Sequence, residues 1–259
     1  MKDISIIIPI HEYNDVVKEL MTRAINSVPN DYYIYISTIE DLEDNFKWVF
    51  ELRNNIEITV NNDNKESDFC TLVNNVVMRL GTKWFSILEF DDEFTKIWFD
   101  NVEYEMSYKP DVSVFLPLEE LIDFNSNKFI GYGNEAPWAT SFSEEIGYID
   151  NESLQQYFDF YLTGGIFNAD DFRSQGLLKP SMKLTFWYEF LLRITRNGKK
   201  VYVIPKLGLL HYVDRENSLY DIYRKTITEE ESNWWFDTAQ KEAFYLKDRC
   251  KIYEKGEGE

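Results

Sequence analysis

The chain has 259 residues, 44% hydrophobic and 28% charged, a size and balance that suit one large globular domain better than two small ones. A formal net charge of −19 excludes a surface that tracks nucleic-acid phosphates along its length, while leaving room for a local basic cleft. The two cysteines, Cys70 and Cys250, make no disulfide framework and read as free thiols of a reducing compartment.

Taken from the amino end, residues 4–9 (Ile-Ser-Ile-Ile-Ile-Pro) predict a buried strand stopped by proline. This apolar run is too short to span a membrane and lacks the small-residue site of a cleaved signal, so a cytoplasmic setting, of a cell or of a virus-infected host, is expected. Residues 15–28 place Val17, Leu20, Met21, Ala24 and Ile25 at helical spacing. Residues 32–36 predict a second strand, 42–52 a second helix and 56–60 a third strand. Residues 69–80 are helical, with Leu72, Val76, Val77 and Leu80 on one side and Gly81 as the stop. A fourth strand at 84–90, a helix at 95–106 and a fifth strand at 112–117 follow. This alternation implies an α/β fold: a doubly wound, mostly parallel sheet flanked by helices, with ligands beyond the carboxyl ends of its strands.

From residue 119 the pattern weakens. Residues 119–151, rich in Asn, Gly, Ser and aromatics, predict a long loop or short strands. Residues 157–162 predict a strand leading into Thr163-Gly164-Gly165, residues 183–196 a helix, and 201–204 and 207–212 two short strands. Thr228 and Glu231 form a capping box before an amphipathic helix reaching about residue 249. The expected organisation is a domain over 1–215, with a nucleotide-binding half (1–118) and an acceptor half (119–215), and a C-terminal helical extension over 216–259.

The chemistry concentrates at Glu89-Phe90-Asp91-Asp92-Glu93, where carboxylates crowd the end of a buried strand. Like charges repel there unless a cation sits among them, and hard oxygen ligands suit Mg²⁺ or Mn²⁺. The opposing reading is a solvated acidic turn.

Around this cluster the sequence resembles the family-2 glycosyltransferases. The resemblance is carried by the opening Ile4 to Pro9 strand, by Asn74-Asn75 running into Gly81-Thr82-Lys83-Trp84-Phe85, and by Leu88-Glu89-Phe90-Asp91-Asp92. It continues through Thr163-Gly164-Gly165-Ile166-Phe167, Glu189 to Arg193, Gly198 and Lys200 to Pro205, covering roughly residues 4 to 215 with gaps. It implies a GT-A fold and a metal-dependent hexosyl transfer from a nucleotide sugar, a UDP-sugar first, to a hydroxyl of a glycan, a protein or another acceptor. In the family an aspartate-any-aspartate motif holds the metal and touches the donor ribose. Here Asp91 is the implied metal ligand, with Mn²⁺ or Mg²⁺, and Glu89, in place of the first aspartate, faces the ribose. His211, at a late position where several such enzymes carry a metal-binding histidine, is a second implied ligand, against a packed core histidine as the alternative.

The nucleotide side is expected to include Pro9, His11 and Glu12 after the first strand, Thr38, Asn61 and Asp63 at the ends of the next two, Asn74, Glu89 and Phe90, and Arg215 against the departing diphosphate. Gly164, Gly165, Trp138 and Trp187 are candidates for the acceptor side, while Trp234 and Trp235 read as core. One departure stands out: the family's base aspartate falls here at Phe186-Trp187. Glu189 is the nearest carboxylate and the expected base, or else the helix-face partner of Arg193; in that case Asp92, Asp170 or Asp171 serves instead, or the transfer retains configuration and needs no such base. A sugar nucleotidyltransferase is disfavoured because Pro9-Ile10-His11-Glu12 offers neither glycines nor lysine to a phosphate. A non-catalytic binding or structural module on the same scaffold is the remaining alternative.

Overall fold

The structure, a computed structural model, describes residues 2–62, 68–216 and 218–249. Its centre is a ten-stranded sheet whose path runs β3-β2-β1-β4-β9-β6-β10-β5, with β7 added on β6 and β8 on β10. The strands are β1 (Ile4–Pro9), β2 (Tyr33–Ile39), β3 (Ile56–Asn61), β4 (Trp84–Ile87), β5 (Glu93–Phe94), β6 (Val112–Asp123), β7 (Lys128–Gly133), β8 (Tyr148–Ile149), β9 (Ile166–Asn168) and β10 (Lys200–Val213). β3, β2, β1 and β4 are parallel, as are β6 and β10, and antiparallel β9 joins the two blocks. The doubly wound α/β architecture expected from the sequence is thus present.

Period-two alternation divides the core. In β1, Ile4, Ile6 and Ile8 enter one apolar layer while Ile7 enters the other. The first layer is closed by α1 (Asp15–Ser27) and α4 (Trp98–Tyr108), through Val17, Leu20, Met21, Ala24 and Ile25 and through Trp98, Phe99 and Val102. The second is closed by α3 (Phe69–Val77), α7 (Phe186–Arg196) and α9 (Glu229–Glu242). Helix starts follow the capping residues: Asn14 accepts from the Val17 N–H at 2.9 Å, Asp68 from Thr71 at 3.0 Å and Thr228 from Glu231 at 3.1 Å. Short helices α2 (Val49–Leu52), α5 (Asn151–Leu154), α6 (Ala169–Ser174) and α8 (Leu219–Thr226) complete the described chain.

Several expectations are corrected. The helix expected over 42–52 is a 3₁₀ stretch, Glu40–Phe46, followed by α2. Residues 157–162 form no strand, whereas residues 119–123, expected in a long loop or short strands, extend β6. The two short strands around residue 205 are one, β10, because Pro205, which has no N–H, falls where the ladder to β6 shifts register between Val203 and Leu207. Trp235 is core but Trp234 is 55% exposed. Cys70 is buried; Cys250 and Asp63 lie outside the described residues.

The C-terminal helix belongs to the same core. Trp235, Ala239 and Ala243 enter the second apolar layer, and buried Lys179 donates to the carbonyls of Glu242 and Tyr245, both at 2.7 Å. Lys179 also lies 2.8 Å from Glu189 Oε1, whose carboxylate takes Arg193 Nε at 2.8 Å and Nη2 at 2.7 Å. Arg193 further donates to the carbonyls of Gln175 and Leu177. All three side chains are at most 1% exposed. Removing the negative charge from this knot strands two buried cations. Glu189→Gln should therefore lose about 3 kcal/mol of stability, read as a lower denaturant midpoint in urea unfolding; an unchanged midpoint would refute the account.

Candidate functional site

The site forms where the carboxyl ends of β1 and β4 meet the far end of β10. β4 stops at Ile87, and residues 88–92 turn back, with the Asp92 N–H on the Glu89 carbonyl at 3.1 Å. The chain then enters β5, which pairs antiparallel with Leu209 and Leu210 of β10. That pairing brings Asp92 beside the next residues of β10. His211 Nδ1 lies 2.8 Å from Asp92 Oδ2, and the Tyr212 N–H reaches Oδ1 at 2.9 Å. Just past the strand, Arg215 Nε reaches Asp91 Oδ2 at 2.7 Å and Nη1 lies 3.2 Å from Glu12 Oε1 in the loop after β1. The guanidinium also sits over the Phe90 ring, 4.8 Å from its centroid. A cleft of about 660 Å³ opens beside Arg215 and Glu12, walled by the first turn of α1 and by Phe124 and Asn125.

Close backbone approach holds this arrangement. Gly164 has φ +71°, its N–H bonds the Ile87 carbonyl at 2.7 Å, and a Cβ there would stand 2.9 Å from the Leu209 side chain. Gly165 is equally hemmed in by Leu116 and the Leu162 carbonyl. Both glycines, expected on the acceptor side, are packing positions behind the turn. Trp98 Nε1 closes the contact on the Gly164 carbonyl at 3.0 Å.

Burial and crowding set the charges. The Glu89 carboxyl is pushed up to about 8 by burial and by Asp92 and Asp91. Asp91 is raised by burial and by Asp92, against Arg215. Burial lowers His211, but Asp92, Glu119 and Glu89 outweigh it and lift the imidazole to about 10, so it is cationic at neutral pH. His11 is held below its ordinary value by burial and by Arg215, against Glu12.

Glu119 is the member that sequence reasoning missed. It is fully buried on β6 and its pKa lies well above the ordinary range, chiefly through burial; Oε1 takes a 3.4 Å hydrogen bond from Asn134, and Oε2 has no partner among the described residues. A glutamate inside the apolar run Val112 to Ile122 was the signal available for it.

The remaining candidates divide. Pro9, His11, Glu12, Thr38, Asn61, Glu89 and Phe90 all lie at the carboxyl ends of β1 to β4, and the buried Thr38 hydroxyl has no partner among the described residues. Asn74 does not join them: its amide is spent on Leu178, donating to the carbonyl at 2.8 Å and accepting from the N–H at 3.0 Å. Trp138 donates to the Val203 carbonyl at 3.1 Å, roughly 17 Å back along the sheet from His211, the length of β6 from Leu116 to Leu121 that pairs with this stretch. It braces Tyr202 rather than facing the site. Trp187 stacks on Phe167 and meets Phe69 and Phe186, with part of its surface open. Glu189 is sealed between Lys179 and Arg193, so as the expected base it is corrected: both carboxylate oxygens are engaged and no acceptor reaches them. Asp170 pairs with Arg173, and Asp171 with Ser113 and Lys199.

The expected divalent cation at Asp91 and His211 does not fit these side chains. Asp91 already carries a guanidinium, and both oxygens of Asp92 are taken by His211 and the Tyr212 N–H. Among the described residues no three of His, Cys, Asp and Glu form a group able to hold a metal.

No family model matches the sequence, and no curated protein is significantly similar to it. Solved structures are. S. aureus TarS 1–349 aligns at a TM-score of 0.62 with 12% identity, over 95% of this chain and 73% of that one. The same TarS fragment in complex with UDP-GlcNAc aligns at 0.64 with 11% identity, over 95% and 74%. The chain shares the fold of these structures, the GT-A-like fold that the sequence resemblance implies. Against a longer TarS structure the TM-score is 0.60 and the identity 13%, and the chain covers 44% of that protein's length. Among the described residues no helix is long and apolar enough to cross a membrane.

Glu89 and His211 together fix a pH dependence. The folded chain holds protons on Glu89 and His211 that the unfolded chain releases near ~4.5 and ~6.5. The stabilising contribution of charged His211 is full below ~6.5 and lost as pH rises through about 10, while the penalty from Glu89 grows from ~4.5 to about 8. Stability should thus fall from pH 5 to pH 10 in thermal unfolding, and Asp92→Asn should flatten the alkaline part of that fall. A rise over this range would contradict the assignment.

Proposed function

We propose that the chain transfers a sugar from a nucleoside-diphosphate sugar to an acceptor hydroxyl. The observation that carries this reading is the charged turn at the end of β4, where Asp91 and Asp92 orient Arg215 and His211 at the crevice of a GT-A sheet. Two complexes of the structural neighbour TarS, with UDP and with UDP-GlcNAc, support a uridine nucleotide sugar as the first donor to test. The nucleoside would lie over the ends of β1 to β3, where neutral His11, the buried Thr38 hydroxyl and Asn61 offer hydrogen bonds to base and ribose. Glu89, protonated over most of the neutral range, gives a ribose hydroxyl both a donor and an acceptor. Arg215 and cationic His211 then take the charge that develops on the departing diphosphate.

Helix α7 supplies no base, because Glu189 is sequestered and Phe186 and Trp187 hold the neighbouring positions. That observation favours one alternative, a donor-binding module without turnover. Both readings expect a nucleoside diphosphate to raise the melting temperature, since a ligand held only by the folded state stabilises it by about 2.7 kcal/mol at a hundredfold excess over Kd. They separate on a panel of nucleotide sugars: a transferase releases the nucleoside diphosphate over time, with Asp92→Asn slowing release by about 10²-fold or more. Binding without release would assign the module. Neither shift nor release with any nucleotide would end both.

A further inference from the structure

We propose that Arg215 is a built-in counter-cation for the donor diphosphate, standing at Asp91 in place of a divalent metal, so that donor binding and transfer proceed without one. The inference rests on the nucleotide-sugar reading above and specifies how that site meets the phosphates.

The guanidinium is fixed on three sides. Asp91 holds Nε at 2.7 Å, Glu12 stands 3.2 Å from Nη1, and the Phe90 ring lies beneath it, leaving the side chain 15% exposed. Those are the carboxylates a metal would need. A divalent cation would have to compete with the full charge of Arg215 for Asp91, and both oxygens of Asp92 already accept hydrogen bonds, from His211 and the Tyr212 N–H.

What the arrangement offers instead suits phosphate. A guanidinium is planar, permanently charged and carries five N–H donors in a fork that matches two phosphate oxygens. The bond from Nε to Asp91 and the contact with Glu12 leave Nη2 without a hydrogen bond among the described residues. In the transfer, the bond between the anomeric carbon and the β-phosphate oxygen breaks, and its electron pair stays on that oxygen. The acceptor oxygen forms the new bond to the anomeric carbon and its proton leaves to solvent. The charge gained by the diphosphate is met by Arg215, pre-oriented by Asp91, at no cost in reorganisation. Asp91 is then a positioning residue for Arg215.

The test is calorimetric titration of the full chain with UDP, GDP, CDP, ADP and dTDP, once in excess EDTA and once in excess Mn²⁺. The expected result is that one nucleotide binds with the same Kd in both buffers, and that the initial rate of its release from the matching nucleotide sugar is insensitive to EDTA. Arg215→Ala should weaken that binding in EDTA by about 10- to 100-fold, the loss expected for charge-assisted hydrogen bonds. Arg215→Lys should fall between, because an ammonium keeps the charge and loses the fork. Binding or turnover that EDTA abolishes and Mn²⁺ restores would overturn the proposal, as would an Arg215→Ala chain that binds like the parent. The buffer comparison uses the parent chain and so decides even where a variant fails to fold. Absence of binding in both buffers is a different result: it removes the donor reading itself, and this proposal with it.

Discussion

Unlike charges have to be found for the carboxylates that the sequence crowds at the end of β4. Glu89, Asp91 and Asp92 fall within four residues of one another at the edge of the apolar interior, and Glu12, in the loop after β1, shares Arg215 with Asp91. The counter-charges come from the far end of β10, more than a hundred residues later. Much of the second half reads as the means of delivering them. β10 runs fourteen residues, absorbs Pro205 in a register shift, and passes Gly208 against Trp98, where a Cβ would stand 2.5 Å from the ring. Gly164 gives way to Leu209 from the other side. β5, only two residues long, then locks the acidic turn to the strand that carries His211.

A second charge knot lies in the other apolar layer and does different work. Lys179, Glu189 and Arg193 are sealed among aromatic and aliphatic side chains, and Lys179 also caps the carboxyl end of α9 through the Glu242 and Tyr245 carbonyls. A buried pair of this kind often adds less net stability than a well-packed apolar replacement, but it penalises any arrangement that leaves one partner alone. Here the arrangement it selects is the docking of α9 on α7. The charge cluster at the end of β4 faces a cleft, whereas the one on α7 faces only protein, and that difference separates a candidate for chemistry from a fastening.

How much of this was legible in the sequence depends on whether the signal was local. β1, α1, α3 and the capping box at Thr228 rest on periodicity and caps within a few residues, and the structure has them within a residue or two, except the carboxyl ends of α3 and α9, which stop short. The acidic turn was visible because four carboxylates stand almost side by side. Glu119 was not, since its burial comes from β10 and β7 closing on β6, contacts no window of sequence displays. Glu189 failed for the same reason. The i, i+4 spacing to Arg193 showed one partner, but Lys179, which seals the carboxylate, reaches it from a different segment. The resemblance placed Asp91 and His211 on one metal; the fold instead pairs each with a different residue, Arg215 and Asp92, through geometry that the spacing of motifs does not encode.

An anionic donor must also enter a chain whose net charge is −19. Surface carboxylates farther than about 8 Å are largely screened at physiological ionic strength, so the balance inside the cleft decides. Burial shifts that balance. It keeps Glu89 mostly neutral near pH 7 and pushes Glu119 well above the ordinary carboxylate range, easing the negative charge around Asp91 and Asp92, while the same aspartates hold His211 protonated and Arg215 in place. Carboxylates in water would all be ionised and would repel a diphosphate. Inside the fold some of them lose their charge and the rest recruit cations, so a site lettered mostly in Glu and Asp becomes one that an anion can approach. The sign of the ligand is thus set by desolvation and pairing around one turn, and composition, which pointed the other way, has little hold on it.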